Sequence, residues 1–230
     1  VNMYNNQQVL CFILARGGSK GVLHKNKKLL NNKPLIKHSI DVAKQTKYVD
    51  EVYVSTDDVD IKEISLNSGA KVIQRSDELA SDTAVYLDAV KHLIDSINVQ
   101  ENSIIVLLET TSPIRTKTDI ENCFEIFDNQ IDCVISVTEV KIHPAYMYRK
   151  ENQLLIPFDD TKKLKNRQEM EKLYAYTGSI LLTTKNFLQN QELIPFGGRM
   201  KGYLLDEASS IDIDTPLDFD ICEFVMKNTE

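Results

Sequence analysis

The sequence predicts an α/β fold: a doubly wound, mostly parallel sheet with helices on both faces. Three observations predict it. Short apolar runs without alternation, Val9–Leu14 (VLCFIL) and residues 103–108 (SIIVLL), end in glycines or polar turns, as strands covered on both faces do. Segments with apolar residues at helical spacing lie between such runs. The two patterns alternate at a repeat of roughly thirty residues, about the length of one strand–helix–strand crossover.

In order along the chain, Val9–Leu14 is the first strand and is followed by ARGGSKG, residues 15–21. Residues 34–46 read as a helix with Leu35, Ile36, Ile40 and Ala43 on one face. Residues 49–55 form the next strand and end in Thr56-Asp57-Asp58, two aspartates better suited to a helix N-terminus than to a site. A short helix through Ile61 and Ile64 closes at Gly69, and residues 71–73 make a brief third strand. A helix over residues 83–97 aligns Ala84, Leu87, Val90 and Ile94, and the SIIVLL strand then runs into Glu109-Thr110-Thr111-Ser112-Pro113. Thr118 and Glu121 have the spacing of a capping box, opening a helix that buries Ile120, Phe124 and Phe127. Residues 133–137 are a further strand.

The rhythm breaks over residues 138–176, which hold Pro144, Pro157, Tyr146, Tyr148 and a charged run over 159–172. This stretch reads as a flexible insert or a small subdomain. A strand resumes at residues 178–183, and the chain closes on SSIDIDTPLDFDICEFVMK. That segment predicts a short strand leading into a helix with Pro216 near its start.

At 230 residues the chain is long enough for one generous domain. Its 27 basic and 34 acidic residues leave a net charge of −7, which argues against a nucleic-acid-binding face. A local phosphate pocket stays open, because Lys20, Lys25, Lys27 and Lys28 cluster near the start. No apolar run reaches the ~18 residues of a membrane span, and residues 1–8 are polar, without a leader pattern. Cys11, Cys123, Cys133 and Cys222 form no C-x-x-C pair and three of them sit in apolar runs. They read as buried small apolar residues, and a cytoplasmic location is expected.

The ARGGSKG loop carries the strongest chemical signal. Glycines 17, 18 and 21 let a backbone approach a ligand closely, exposed N–H groups there suit an anion, and Arg16 and Lys20 add two positive charges. In an α/β sheet the loop at a strand's carboxyl end is the favoured ligand position. The spacing fits neither a Walker A loop nor G-x-G-x-x-G, so the loop is read as a triphosphate cradle, the alternative being a tight turn with solvated charges. Asp212 and Asp214 form a second constellation: on a strand, period-2 spacing puts both carboxylates on one face with Ile211 and Ile213 turned inward. Two carboxylates so close need a cation, and Mg²⁺, which takes one or two carboxylates plus phosphate oxygens, suits them. A solvated strand face is the alternative. Glu109-Thr110-Thr111-Ser112 offers hydroxyls and a carboxylate that suit a polyhydroxylated ligand or, equally, a turn.

Together and in this order, ARGGSKG, LASDTA, TSPIR, Arg167-Gln168 and IDIDTP resemble the sialic-acid cytidylyltransferases. This is the CMP-N-acetylneuraminate synthetase family, which also handles other nonulosonic acids. The resemblance runs over residues 9–224. It implies a Rossmann-like fold of the nucleotide-diphospho-sugar transferase type. The chain would be one cytidylyltransferase domain over 1–230, with residues 138–176 as an insert that exchanges contacts across a homodimer. It implies that CTP and a nonulosonic acid give the CMP-sugar and pyrophosphate, with Mg²⁺ as cofactor. By the same resemblance Arg16 and Lys20 are catalytic cations on the triphosphate. Gly17, Ser19, Lys25, Asn26, Arg75, Thr111 and Ser112 surround the nucleotide, and Glu109 and Arg167 approach the sugar. Asp212 and Asp214 hold Mg²⁺, and Asp212 is the candidate to assist deprotonation of the attacking hydroxyl.

The departures from that family lie on the sugar side. Glu109 and Thr110 stand where Gln and Pro are common, and N-G-A-I-Y reads Thr177-Gly178-Ser179-Ile180-Leu181, without the aromatic hydroxyl. The paired aromatics expected further on are not obvious in Leu193-Ile194-Pro195-Phe196. N-acetylneuraminic, legionaminic, pseudaminic and other ulosonic acids therefore all stay open as substrates. The alternatives are a cytidylyltransferase for another keto-deoxy sugar acid and a non-catalytic, regulatory nucleotide-binding protein.

Overall fold

Every residue of Val9–Leu14 (β1) is apolar because helices cover both of its faces. Val9, Cys11 and Ile13 enter one core with Ile36, Ile40, Ile61 and Phe124, while Leu10 and Phe12 enter a second with Leu87, Val90 and Leu93. This is the period of two of an extended chain, sorted by two different sets of helices. At roughly 1.5–3 kcal/mol per fully buried large apolar side chain, such a strand anchors the sheet.

The computed structural model describes residues 4–158, 170–192 and 197–228. Arg167, Gln168 and residues 193–196 lie outside the described residues. After β1 come a two-stranded ribbon, Leu29–Leu30 (β2) with Lys33–Pro34 (β3), and helix Leu35–Gln45 (α1). Glu51–Thr56 (β4), Val59–Asn67 (α2) and Lys71–Gln74 (β5) follow, then the short Asp77–Ala80 (α3), Tyr86–Ser96 (α4) and Ile104–Leu107 (β6). The second half holds Lys117–Ile126 (α5), Cys133–Glu139 (β7), the hairpin Tyr148–Glu151 (β8) and Leu154–Pro157 (β9), and Tyr174–Thr184 (β10). Lys185–Gln189 (α6), Met200–Leu204 (β11) and Pro216–Asn228 (α7) complete it.

The main sheet has the order β11-β7-β10-β6-β1-β4-β5. Six of its strands are parallel, and β10 runs antiparallel between β6 and β7. The fold class is therefore as expected, with an edge strand, β11, that the sequence reading did not contain. Four buried cysteines are free thiols, and among the described residues no helix is long and apolar enough to cross a membrane.

Local signals were mostly, not uniformly, at the expected residues. Asp58 caps α2 by accepting from the N–H groups of Asp60 and Ile61. At the other end Gly69, at φ +79°, is followed by the Ala70 N–H on the Ser65 carbonyl and preceded by its own N–H on Leu66, a paired C-terminal closure. The capping box of α5 is Thr116 with Asp119, not Thr118 with Glu121. A shorter carboxylate does the same work two residues earlier, right after Arg115. The helix expected over 83–97 starts only at Tyr86. Residues 211–214 are not a strand: the Ile211 N–H closes a local turn on the Ala208 carbonyl at 3.2 Å, the Ile213 N–H reaches the Thr111 carbonyl at 2.8 Å, and one bond to another segment makes no ladder. Thr215 and Asp218 instead cap α7 reciprocally, and Ile213 is buried with Phe219 and Cys222.

The break in rhythm begins and ends inside strands, since β7 continues to Glu139 and β10 starts at Tyr174. Between them β8 and β9 form a hairpin exposed at all eight positions. β10 also bulges against β7 between Tyr176 and Leu181. The Ser136 hydroxyl bridges the gap, accepting from Ile180 N–H at 2.8 Å and lying 2.7 Å from the Thr177 hydroxyl, so the ladder's interruption leaves that N–H partnered.

Candidate active site

Because six strands are parallel, their carboxyl ends collect at one edge of the sheet. The loop after β1, Thr56-Asp57-Asp58 after β4, Arg75 after β5 and Glu109 to Ser112 after β6 all emerge there. β10, running the other way, enters at the same edge and brings Tyr176 to Gly178 with it.

The ARGGSKG loop is held from behind. Ala15 N–H donates to the Ser55 carbonyl at 2.9 Å, and Gly17 N–H donates to Asp57 Oδ1 at 2.9 Å. A Cβ on Gly17 would lie 2.8 Å from that of Asp58, and one on Gly21 would collide with the Asp214 carbonyl oxygen. Two of the three glycines are thus required by the chain's own packing, whereas Gly18 faces open space. Close approach to a ligand, the reason expected from sequence, is left to Gly18 alone.

Buried Asn26 ties this loop to the one after β6. Its amide donates to the Arg16 carbonyl at 2.9 Å and accepts from the Thr110 hydroxyl at 2.6 Å. Lys25 Nζ donates to the Ile213 carbonyl at 2.5 Å and lies 3.7 Å from Asp214 Oδ1. The loop before α7 is thereby fixed against the loop after β1. Arg75 is buried and donates to the hydroxyl and carbonyl of Ser55 at 3.0 and 2.9 Å; burial draws its pKa down. Arg16 and Lys20 both reach Asp82, at 2.9 and 2.7 Å.

These groups enclose a cleft of about 370 Å³. Of the residues predicted for the site, Arg16, Ser19, Lys20, Lys25, Asn26, Arg75, Glu109, Thr111 and Asp214 line it. Gly17, Ser112 and Asp212 are not part of its lining, and Arg167 lies outside the described residues. The pKa of Glu109 rises to about 7, first through burial and then through the like charge of Asp212, with Arg115 and Lys25 pulling the other way.

Arg115 is the residue that sequence reasoning missed. It is buried and joins three segments, donating to the Ser179 carbonyl at 2.7 Å, to the Ser39 hydroxyl at 2.6 Å and to the Glu109 carbonyl. Burial lowers its pKa to about 10. The fragment TSPIR contained it, but no spacing marks an arginine that turns inward. Asp82, inside LASDTA, was likewise unassigned. Tyr86 also lines the cleft, and it and Tyr176 sit close enough to Glu109 that its charge raises their pKa, after burial as the larger cause. Two phenols thus stand near Glu109, although Leu181 offers none.

Asp212 Oδ1 and the hydroxyls of Thr111 and Ser112 are buried, and the Ile213 N–H on the Thr111 carbonyl holds the two segments together. Burial raises the pKa of Asp212, against the pull of the Thr111 hydroxyl and with the charge of Asp214 adding to the rise. Asp214 is exposed. No group of three or more His, Cys, Asp or Glu suited to a metal occurs among the described residues. A half-buried carboxylate with a second, exposed carboxylate two residues on fits an ion that takes most of its ligands from phosphate and water. It does not fit an all-protein cage.

A family model described as "Cytidylyltransferase" matches residues 10–220. The chain is 34% identical to "Post-translational flagellin modification protein B" of Campylobacter coli over 96% of its own length and 95% of that protein's. It is 34% identical to the "CMP-N,N'-diacetyllegionaminic acid synthase" of Legionella pneumophila over 96% and 97%. An "N-acylneuraminate cytidylyltransferase" of Streptococcus agalactiae is 33% identical over 91% of this chain, which spans 51% of that relative's length. Among solved structures, a CMP:2-keto-3-deoxy-manno-octonic acid synthetase complexed with CTP superposes with a TM-score of 0.74 over 97% of this chain and 100% of that one, at 17% identity. That likeness concerns the fold.

Proposed function

The chain belongs to the cytidylyltransferase family, and from that premise we propose that it transfers CMP from CTP to the anomeric oxygen of a nonulosonic acid, releasing pyrophosphate. The observation that carries the reading is the cleft itself, where Arg16, Lys20 and Lys25 converge with Glu109 and Asp214 at the carboxyl edge of the sheet.

The anomeric hydroxyl attacks the α-phosphorus and the bond to the pyrophosphate oxygen breaks. Negative charge grows on the leaving group, which Arg16 and Lys20 stabilise by charge-assisted hydrogen bonds. Arg75, held by Ser55, stands on the nucleotide side of the cleft with Ser19, Lys25, Asn26 and Thr111, and Ser112 is buried behind Thr111. Asp212, whose pKa burial raises, takes the proton of the attacking hydroxyl. Asp212 and Asp214 would hold Mg²⁺, which supplies charge neutralisation on the phosphates when bound. Glu109 faces the sugar acid; Arg167, assigned to the sugar by resemblance alone, lies outside the described residues.

The protein acts as a homodimer in this reading, through the insert. Tyr148, Leu154, Leu155 and Phe158 on or beside its hairpin are more than half exposed, with Tyr148 and Leu155 on one face of the hairpin and Leu154 on the other, apolar side chains that a partner could cover.

The test is pyrophosphate release from CTP with Mg²⁺ and a panel of N-acetylneuraminic, legionaminic, pseudaminic and keto-deoxy-octulosonic acids. Turnover on one acid, lost in Asp214→Asn, is expected. CTP binding with no turnover on any acid would favour a non-catalytic nucleotide binder instead.

A further inference from the structure

Arg16 and Lys20 do not face the cleft as unpaired cations. Asp82 Oδ1 lies 2.9 Å from Arg16 Nη1, and its Oδ2 lies 2.7 Å from Lys20 Nζ. Stability does not require this pairing. The side chains of Asp82 and Lys20 are 48% and 76% exposed, and ion pairs so exposed contribute little. Asp82 caps neither neighbouring helix; it lies in residues 81–85, between α3 and α4, a segment whose Ser81, Ala84 and Val85 line the cleft with it. To a guanidinium or an ammonium, a carboxylate and a phosphate offer the same thing, anionic oxygens that accept charge-assisted hydrogen bonds. Asp82 therefore engages the donors that a polyphosphate needs.

Resting on the reading of Arg16 and Lys20 as the triphosphate's partners, we propose that Asp82 is a built-in competitor for the phosphate site, displaced from both cations when a polyphosphate binds. It sets how tightly the nucleotide is held. It also returns to the cations as pyrophosphate departs, so the same side chain that weakens binding speeds product release. The 81–85 segment, carrying Asp82, is coupled to occupancy of the phosphate site.

The experiment is calorimetric titration of inorganic triphosphate and of pyrophosphate into the full chain, Asp82→Asn and Lys20→Gln, at low and at high salt. Asp82→Asn is expected to bind both anions about five- to tenfold more tightly at low salt, the sum of two exposed ion pairs. The gap narrows at high salt, because exposed pairs are screened. Pyrophosphate should inhibit turnover by this variant at correspondingly lower concentration. Equal or weaker binding by Asp82→Asn, with Lys20→Gln weaker than the parent, would overturn the proposal and make Asp82 an organiser of the cations. Lys20→Gln binding like the parent would instead overturn the phosphate reading of the cleft, and the proposal with it. Asp82→Ser, with thermal melts of all variants, separates these outcomes from a folding defect.

Discussion

Glu109 carries a carboxyl group where the fold resists its charge. Its pKa of about 7, against an ordinary 4.5, means that the folded protein holds a proton there which the unfolded chain has released between those two values. Stability contributed by this group is present below pH 4.5 and is lost as pH rises through 7. Glu109→Gln, which cannot ionise, should match the parent near pH 4.5 and exceed it at pH 8 by about 2–3 kcal/mol. Urea unfolding at both pH values measures this; a gap independent of pH would show that the charge is not penalised. Arg115 predicts the opposite kind of effect. Arg115→Ala strips three buried partners of their donor at once and should cost about 3 kcal/mol or more by the same measurement. At the phosphate end, Lys20→Gln should lower kcat/KM for CTP on the order of 100-fold. That Arg16, Ser19 and Lys20 line the cleft was legible because the loop after a parallel strand lies at the sheet edge where ligands bind. Arg115 was not, because its three acceptors come from segments far apart in sequence, and only the folded chain brings them together.

The bulge in β10 acts as a unit with the loop after β6. Gly178, at φ +72°, holds its Cα against Glu109, and a Cβ there would lie 3.0 Å from the carboxylate. Gly178→Ala is therefore strained both in backbone and in contact. Steady-state kinetics should show a raised KM for the sugar acid with KM for CTP little changed; equal effects on both would mean that the bulge serves the whole cleft. Elements with local determinants were read well: the apolar runs, the stripe of α1, and the Asp58 and Gly69 ends of α2. The segment 211–214 was misread because Ile-Asp-Ile-Asp alternates as a strand does. Alternation reports which side chains are buried, and Ile213 is indeed buried, but a strand also needs a neighbour to pair with. Here the neighbouring groups are spent on capping α7.

At the scale of the molecule, the order of strands was beyond local reading. β10 pairs with β6 across some eighty residues of chain, and no periodicity carries that information. The hairpin over residues 148–157, by contrast, falls where the sequence loses its rhythm, and it carries exposed apolar side chains. Leu154→Asp with Leu155→Asp should shift sedimentation toward the monomer if this hairpin joins two copies, while an unchanged profile would place any association elsewhere. The reversed central strand has a further consequence, for synthesis. β7 and β11 are joined to the rest of the sheet only through β10. A chain that stops before Tyr174 can assemble β6-β1-β4-β5 but leaves Ile104–Leu107, four apolar residues, as a bare edge. Such an edge is a template for pairing with other chains, so incomplete translation products of this protein should be insoluble, and the nascent chain stays exposed to that hazard until β10 has left the ribosome.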